Sequence, residues 1–226
     1  MVPQNTFSYK PIDHNNEIRI LKIIQGKDAD PLECMLYPSA LCSAKPRPSY
    51  PYSALSYWWG GEDDMPIHPI TMYRDTWVRD GLQKFTPFHL AGVFHVRKNL
   101  ASALEHFRQV DRDVDVWVDA LCINQEQSDN NGEKTAQVAK MHEIYSEAEN
   151  VCVWLGPGEP ESKETFDFLK AILDLKYLDD LIESEANPRK WMLVINLMKL
   201  KWFSVSSRNQ FISLNYTNRQ SFRDAG

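Results

Sequence analysis

One stretch near the middle of the chain constrains the fold more than any other. Val114 to Val118 is a short apolar, β-rich run, and Asp119-Ala120-Leu121-Cys122-Ile123-Asn124-Gln125 follows it. Glu133 to Ala148 then carries helical spacing, and Val151-Cys152-Val153-Trp154-Leu155-Gly156 is β-rich again. Strand, polar loop, helix and strand in this order make the unit from which parallel sheets are built. The loop after the first strand lies at the carboxyl edge of such a sheet, where α/β folds build their sites. It presents an Asp, an Asn and a Gln, which suits hydrogen-bonding recognition better than acid–base chemistry.

The rest of the pattern supports an α/β fold. Glu17 to Ile24 and Leu32 to Leu36 read as two strands joined by turn residues, an N-terminal hairpin. Pro46, Pro48 and Pro51 make a stiff connector. Tyr52 to Trp59 is a strand running into Gly60-Gly61, and Ile67 to Met72 offers another. Thr76 to Gly92 reads as an insertion loop. A helix over 100–110 is capped by Asn99, and the helix over 133–148 has an inward stripe of Val138, Met141, Tyr145 and Ala148. Ser162 caps a third helix with Phe166, Leu169, Leu173 and Leu181 inward, and Arg189 to Leu200 forms a fourth. This alternation predicts a mostly parallel sheet with helices on both faces.

Composition narrows the function. The 226 residues are 43% hydrophobic, enough for a packed core. A net charge of −6 argues against a general nucleic-acid binder. Cys34, Cys42, Cys122 and Cys152 form no C-x-x-C pair and no His pair has metal-ligand spacing, so no metal site is expected. The polar N-terminus has no signal core and no run of about 18 apolar residues exists. A cytoplasmic protein with no membrane partner is expected.

Four blocks resemble one family: Glu17-Ile18-Arg19-Ile20-Leu21, then Tyr52 through Gly60, then Trp117 through Gln125, then Glu133 through Gly156. In order and spacing they are similar to the heterokaryon incompatibility (HET) domain of filamentous fungi, over roughly residues 17–203. Two departures stand out. Lys134 follows Glu133 where the family usually has Arg, which keeps the charge but loses a bidentate fork. After Trp202-Phe203 the family's Arg-x-Trp and Gln-Glu are missing. The resemblance implies a module of self/non-self recognition and programmed cell death, acting through protein partners or self-association. It divides the chain into a hairpin extension (1–45), a HET domain (46–203) and an atypical, disordered tail (204–226). An inactive truncated remnant is a further alternative.

The family has been likened to the TIR fold, a flavodoxin-like sandwich, and Ser56-Tyr57 running into Gly60-Gly61-Glu62-Asp63 looks like a TIR first-strand motif. Some TIR domains cleave NAD, so NAD is a candidate substrate by analogy only. The binding candidates are Tyr57, Trp59, Gly60, Asp119, Asn124, Gln125, Glu133 and Gln137. Each has a structural reading beside the functional one: a cap or loop pin for Asp119, Asn124, Gln125 and Gln137, a capping-box partner of Asn130 for Glu133, core for the aromatics. Glu164 and Asp167, at the start of the third helix, are the candidate acids.

Overall fold

The computed structural model describes residues 7–41, 51–61, 64–74, 89–125, 132–173 and 188–205. The connector over 44–50, Asn130, Leu181 and the tail from residue 206 lie outside the described residues. The described residues divide into two units, those through Trp154 and those from Leu155 on.

The first unit is built on one seven-stranded sheet. Its strands are β1 (Glu17–Ile23), β2 (Glu33–Ala40), β3 (Ser53–Tyr57), β4 (His68–Arg74), β5 (His89–Val96), β6 (Val114–Trp117) and β7 (Asn150–Trp154). They lie in the order β5-β4-β2-β1-β6-β3-β7. The α/β fold expected from the sequence is the fold the chain adopts. β6, β3 and β7 are parallel, as are β2 and β4; β1 pairs antiparallel with both β2 and β6, and β4 with β5. The N-terminal hairpin therefore sits inside the sheet, joining the parallel trio to the β4–β5 pair. Part of the stretch read as an insertion loop is β5.

The trio has the spatial order second, first, third strand, which is the order at the heart of flavodoxin-like sheets. Ala54, Leu55, Ser56 and Tyr57 are all buried, so the central strand is covered on both faces. Helices connect the strands around this trio. These are α1 (Lys98–Phe107) between β5 and β6, and α3 (Gly132–Ala139) with α4 (Met141–Glu147) between β6 and β7. A single turn, α2 (Asp119–Cys122), follows β6 directly. Tyr52 donates to the Ile144 carbonyl at 2.6 Å and Tyr145 donates to the Leu55 carbonyl at 3.2 Å, so β3 and α4 are tied by two crossed hydroxyl bonds. Trp117 is fully buried against the Tyr145 ring.

Two local readings differ from expectation. The helix over 133–148 breaks at Lys140; the buried side chain of its first half is Gln137 while Val138 is 49% exposed, and Met141, Tyr145 and Ala148 of the expected stripe pack on the core. Gln137 points inward because its amide donates to the carbonyl of Glu17 at 2.8 Å, with a longer bond to His14. Lys140, one turn later, reaches the carbonyls of His14 and Asn15. Polar bonds to the turn before β1 orient α3, and burial of Ile144 and Tyr145 orients α4. Asn99 is not the cap of α1, which Arg97 occupies. Its amide instead donates to the Trp58 carbonyl and accepts from the Trp154 indole, joining the ends of β3 and β7.

Arg19 on β1 ties these pieces together. Its side chain is buried and forms a two-pronged ion pair with Glu133 of α3, at 2.5 and 3.0 Å. It also donates to the carbonyls of Cys122 and Lys10, and its guanidinium lies 5.1 Å from the centre of the Tyr9 ring. Burial pushes the Glu133 carboxyl up, but the Arg19 bonds and charge outweigh it and hold the carboxyl below its ordinary value of 4.5. A group held low stabilises the fold above its unfolded pKa and loses that contribution as pH falls through its folded one. Glu133→Gln should therefore cost about 3–5 kcal/mol at pH 7, the usual penalty for stranding a buried cation. Denaturant melts should show the gap to the wild type narrowing on acidification below pH 4.5. A gap that stays constant with pH would contradict this role for the pair.

The second unit contains three described helices, α5 (Ser162–Leu173), α6 (Pro188–Met198) and α7 (Lys201–Val205). On α5 the inward residues are Thr165 and Phe168, while Phe166 and Leu173 of the expected stripe are exposed. Phe168 meets the Trp191 ring edge-to-face at 5.1 Å, which joins α5 to α6.

Candidate functional site

The carboxyl ends of β3 and β6 bring Trp59 and Asp119 together. β6 ends at Trp117, and Asp119 opens the α2 turn with its side chain only 9% exposed. The Trp59 indole N–H is shared between the two Asp119 carboxylate oxygens, at 3.1 and 3.2 Å. The Ala120 N–H donates to the same carboxylate at 2.8 Å. The Gln125 amide donates to the Asp119 carbonyl at 3.1 Å, folding the loop back on its first residue.

The turn carrying Trp59 is held from its far side. Arg97, just ahead of α1, donates to the carbonyls of Trp59 and Gly61. Gly60 adopts φ +101°, and a Cβ there would come within 2.4 Å of an Asp64 carboxylate oxygen. Only glycine fits this position without rearrangement. Tyr57, one residue before the Trp58-Trp59 pair, is buried, and burial together with the nearby Asp119 raises its hydroxyl well above its ordinary value.

The other sequence candidates separate by partner. Asn124 donates its backbone N–H to Glu133 at 3.3 Å, so Glu133 holds the end of the loop as well as Arg19. Both Glu133 oxygens are engaged, and Gln137 faces the turn before β1. Tyr57, Trp59, Gly60, Asp119 and Gln125 thus gather at one edge, while Glu133 and Gln137 face the hairpin. Glu164 and Asp167 belong to the second unit. Glu164 lies 3.4 Å from Arg189, and Asp167 pairs with Lys163 at 2.6 Å on an exposed helix face. The Lys163 bond and charge hold the Asp167 carboxyl below its ordinary value. The sequence reading gave Arg97 and Asn99 no place in the site, and Arg19 none beyond its strand. An Arg flanked by Ile18, Ile20 and Leu21 is the signal that would have found one of them, because a charge in an apolar strand requires a partner.

Among the described residues no group of three or more His, Cys, Asp or Glu side chains could hold a metal ion. A cavity of about 220 Å³ lies under residues 7–12, walled by Tyr9, Arg19, Tyr37 and Tyr73, and none of the binding candidates lines it. No described helix is long and apolar enough to cross a membrane.

With this geometry in place, the comparisons decide the family. The profile described as "Heterokaryon incompatibility protein (HET)" matches residues 52–208, which include both β3 and the Asp119 loop. This chain belongs to the HET family. It is 34% identical over 201 residues to "Heterokaryon incompatibility protein 6, OR allele" of Neurospora crassa, covering 87% of this chain and 27% of that protein. The chain thus spans about a quarter of that relative's length. No solved structure matches it. The HET match contains Trp59 and Asp119 but begins beyond Arg19, so the hairpin that steadies the loop lies outside the matched span.

Asp119 is the perturbed carboxylate of this HET edge. Burial raises it from 3.8 to about 6, against the opposing bonds from Trp59 and Ala120. A raised Asp keeps its proton longer in the folded chain than in the unfolded one. Its burial therefore weakens the fold as pH rises from 3.8 to about 6. That difference corresponds to about 3 kcal/mol. Asp119→Asn should gain stability relative to the wild type across this window, by up to about 3 kcal/mol in denaturant melts. Parallel pH profiles for the two proteins would refute the assignment.

Proposed function

We propose that the chain is a heterokaryon-incompatibility module that takes part in self/non-self recognition and promotes cell death, acting in the cytoplasm through a protein partner or self-association. The observation that carries this reading is the 34% identity to heterokaryon incompatibility protein 6 across 87% of the chain. The site's chemistry agrees with it: residues 119–125 after β6 are braced at both ends, by the Trp59 bond to Asp119 and the Asn124 bond to Glu133, and a braced segment presents a fixed surface at little entropic cost.

A second reading is cleavage of NAD or a related nucleotide, by the TIR analogy. It is favoured by the buried, raised carboxylate of Asp119 beside the half-exposed Trp59 ring, at the edge where flavodoxin-like sheets bind ligands. Arg97 and the first turn of α1, next to the Trp59–Gly61 turn, would suit a phosphate. In this reading Asp119 is a candidate for stabilising charge on the ribose, as an alternative to Glu164 or Asp167 of the second unit.

Induced expression of the chain in fungal hyphae tests the first reading. Growth arrest and vacuolation are expected, and both should be lost in Glu133→Gln. Normal growth with folded, abundant protein would overturn the incompatibility role. Purified chain incubated with NAD then separates the two mechanisms. Released nicotinamide that disappears in Asp119→Asn, Glu164→Ala or Asp167→Ala would establish the enzymatic reading. Intact NAD beside active hyphal killing would leave protein contact as the mechanism.

A further inference from the structure

The seven-stranded sheet has two edges, and the chain treats them differently. An edge strand exposes a row of unpaired N–H and C=O groups, and proteins blunt such rows with bulges, charges or covering segments. β5, at one edge, is blunted twice. The Phe7 N–H donates to the Val93 carbonyl at 3.2 Å, and the Phe7 and Tyr9 rings stand edge-on to Phe94. The register of β5 with β4 also shifts between Met72 and Tyr73, which leaves Ala91 as an extra residue in β5. β7, at the other edge, has none of these devices. Asn150-Val151-Cys152-Val153-Trp154 holds no proline and no charge, and its ladder with β3 is regular. Among the described residues β3 is its only strand partner. Val151 and Val153 are 36% and 41% exposed on one face of the strand, and Cys152, outside any disulfide, is half-buried on the other.

A second copy of the strand fits this edge. In a parallel ladder alternate residues turn their N–H and C=O to opposite sides, so every second residue of β7 faces outward. Two such edges related by a two-fold axis bond antiparallel only where outward residues meet outward residues. The axis must then pass through a residue of the strand, and an axis through the middle residue pairs all five. Val151 faces Val153 of the copy, twice over, and Cys152 faces Cys152. β-branched side chains directly opposite one another stabilise a sheet. The carboxylates nearest the strand, at Glu149, come to lie about 20 Å apart along the ladder, beyond the screening length of about 8 Å, so no like charges meet. A charged peptide would find no charge on this strand to pair with, which leaves self-complementarity as the recognising feature.

We infer that β7 is a homodimerisation edge, on which a second copy of this chain adds its own β7 antiparallel about Cys152, so that the two sheets continue as one. Five residue pairs bury far less than the roughly 1,200 Å² of a stable interface, so the dimer is weak and reports the local concentration of the chain. The inference deepens the self-association form of the proposed function and rests on that reading for its biological role; the strand geometry stands without it.

Sedimentation of the full chain from about 1 to about 500 µM tests it. A monomer–dimer equilibrium is expected, weakened about tenfold by Val151→Lys and by Val153→Glu, because each removes both valine pairs. The two changes in one chain set opposite charges across each pair and should restore dimerisation, which a merely destabilised variant would not do. Mild oxidation by air with copper-phenanthroline gives a second readout. Cα atoms about 4.5–5.5 Å apart across an antiparallel pair are within disulfide reach. A disulfide-linked dimer should form, the two thiols giving two protons and two electrons to oxygen, and it should vanish in Cys152→Ser. This link serves if circular dichroism shows the valine variants unfolded. Three results would overturn the inference: a monomer across the whole range, a dimer indifferent to both valine changes, or no link that depends on Cys152. A monomer whose β7 amides resist hydrogen exchange at every dilution would overturn it in favour of this chain's own residues at the edge. Growth arrest of hyphae by a chain that stays monomeric would sink the dimer and leave the incompatibility reading in place, acting through another protein.

Discussion

The first unit depends on the Arg19 guanidinium more than on any other group. Four pieces of chain that are distant in sequence meet there: the segment at Lys10, strand β1, the loop after β6 and helix α3. A buried guanidinium has several donors to satisfy, and unpairing it costs several kcal/mol, so each acceptor is held as firmly as the charge is. The two carboxylate oxygens of Glu133 take the charge; the carbonyls of Cys122 and Lys10 take further bonds. Packing alone would tolerate small shifts between the hairpin and α3. A two-pronged ion pair with defined geometry tolerates far less.

This constraint reaches the candidate site through a short covalent path. Arg19 fixes the Cys122 carbonyl, and Glu133 fixes the Asn124 amide. Between those points and Asp119 lie a single helical turn and the Gln125 bond to the Asp119 carbonyl. Tyr9, whose ring lies beside the Arg19 guanidinium, adds a hydroxyl bond to the Leu121 carbonyl. Asp119 is thus carried on a loop with little freedom, and its carboxylate meets the Trp59 indole at the same edge of the sheet. The hairpin, which lies outside the matched HET span, acts as the brace for residues 119–125.

Much of the fold was legible in the sequence because its strands are short, β-rich and bounded by turn residues. β1, β3, β6 and β7 fall within a residue or two of where the pattern puts them. The site was legible only in part. Tyr57, Trp59 and Asp119 stand where a strand-to-loop reading places them, since that reading needs only local sequence. Gln137 and Asn99 were read through helical spacing and cap preference, and both are instead turned by bonds to distant backbone groups. Such bonds leave no periodic trace. β5 was missed for a related reason: a Gly92 and two His interrupt the alternation that marks a strand, and pairing with β4 overrides the weak local signal.

The central claim is that Arg19 holds the loop on which Asp119 meets Trp59. Hydrogen exchange of the Trp59 indole N–H and the Asn124 amide, followed by NMR in the wild type and in Arg19→Met, tests it most directly. Both protons should be protected in the wild type and should exchange far faster in a variant that keeps its β-sheet signals. Wild-type protection of both protons in a folded Arg19→Met variant would contradict the account.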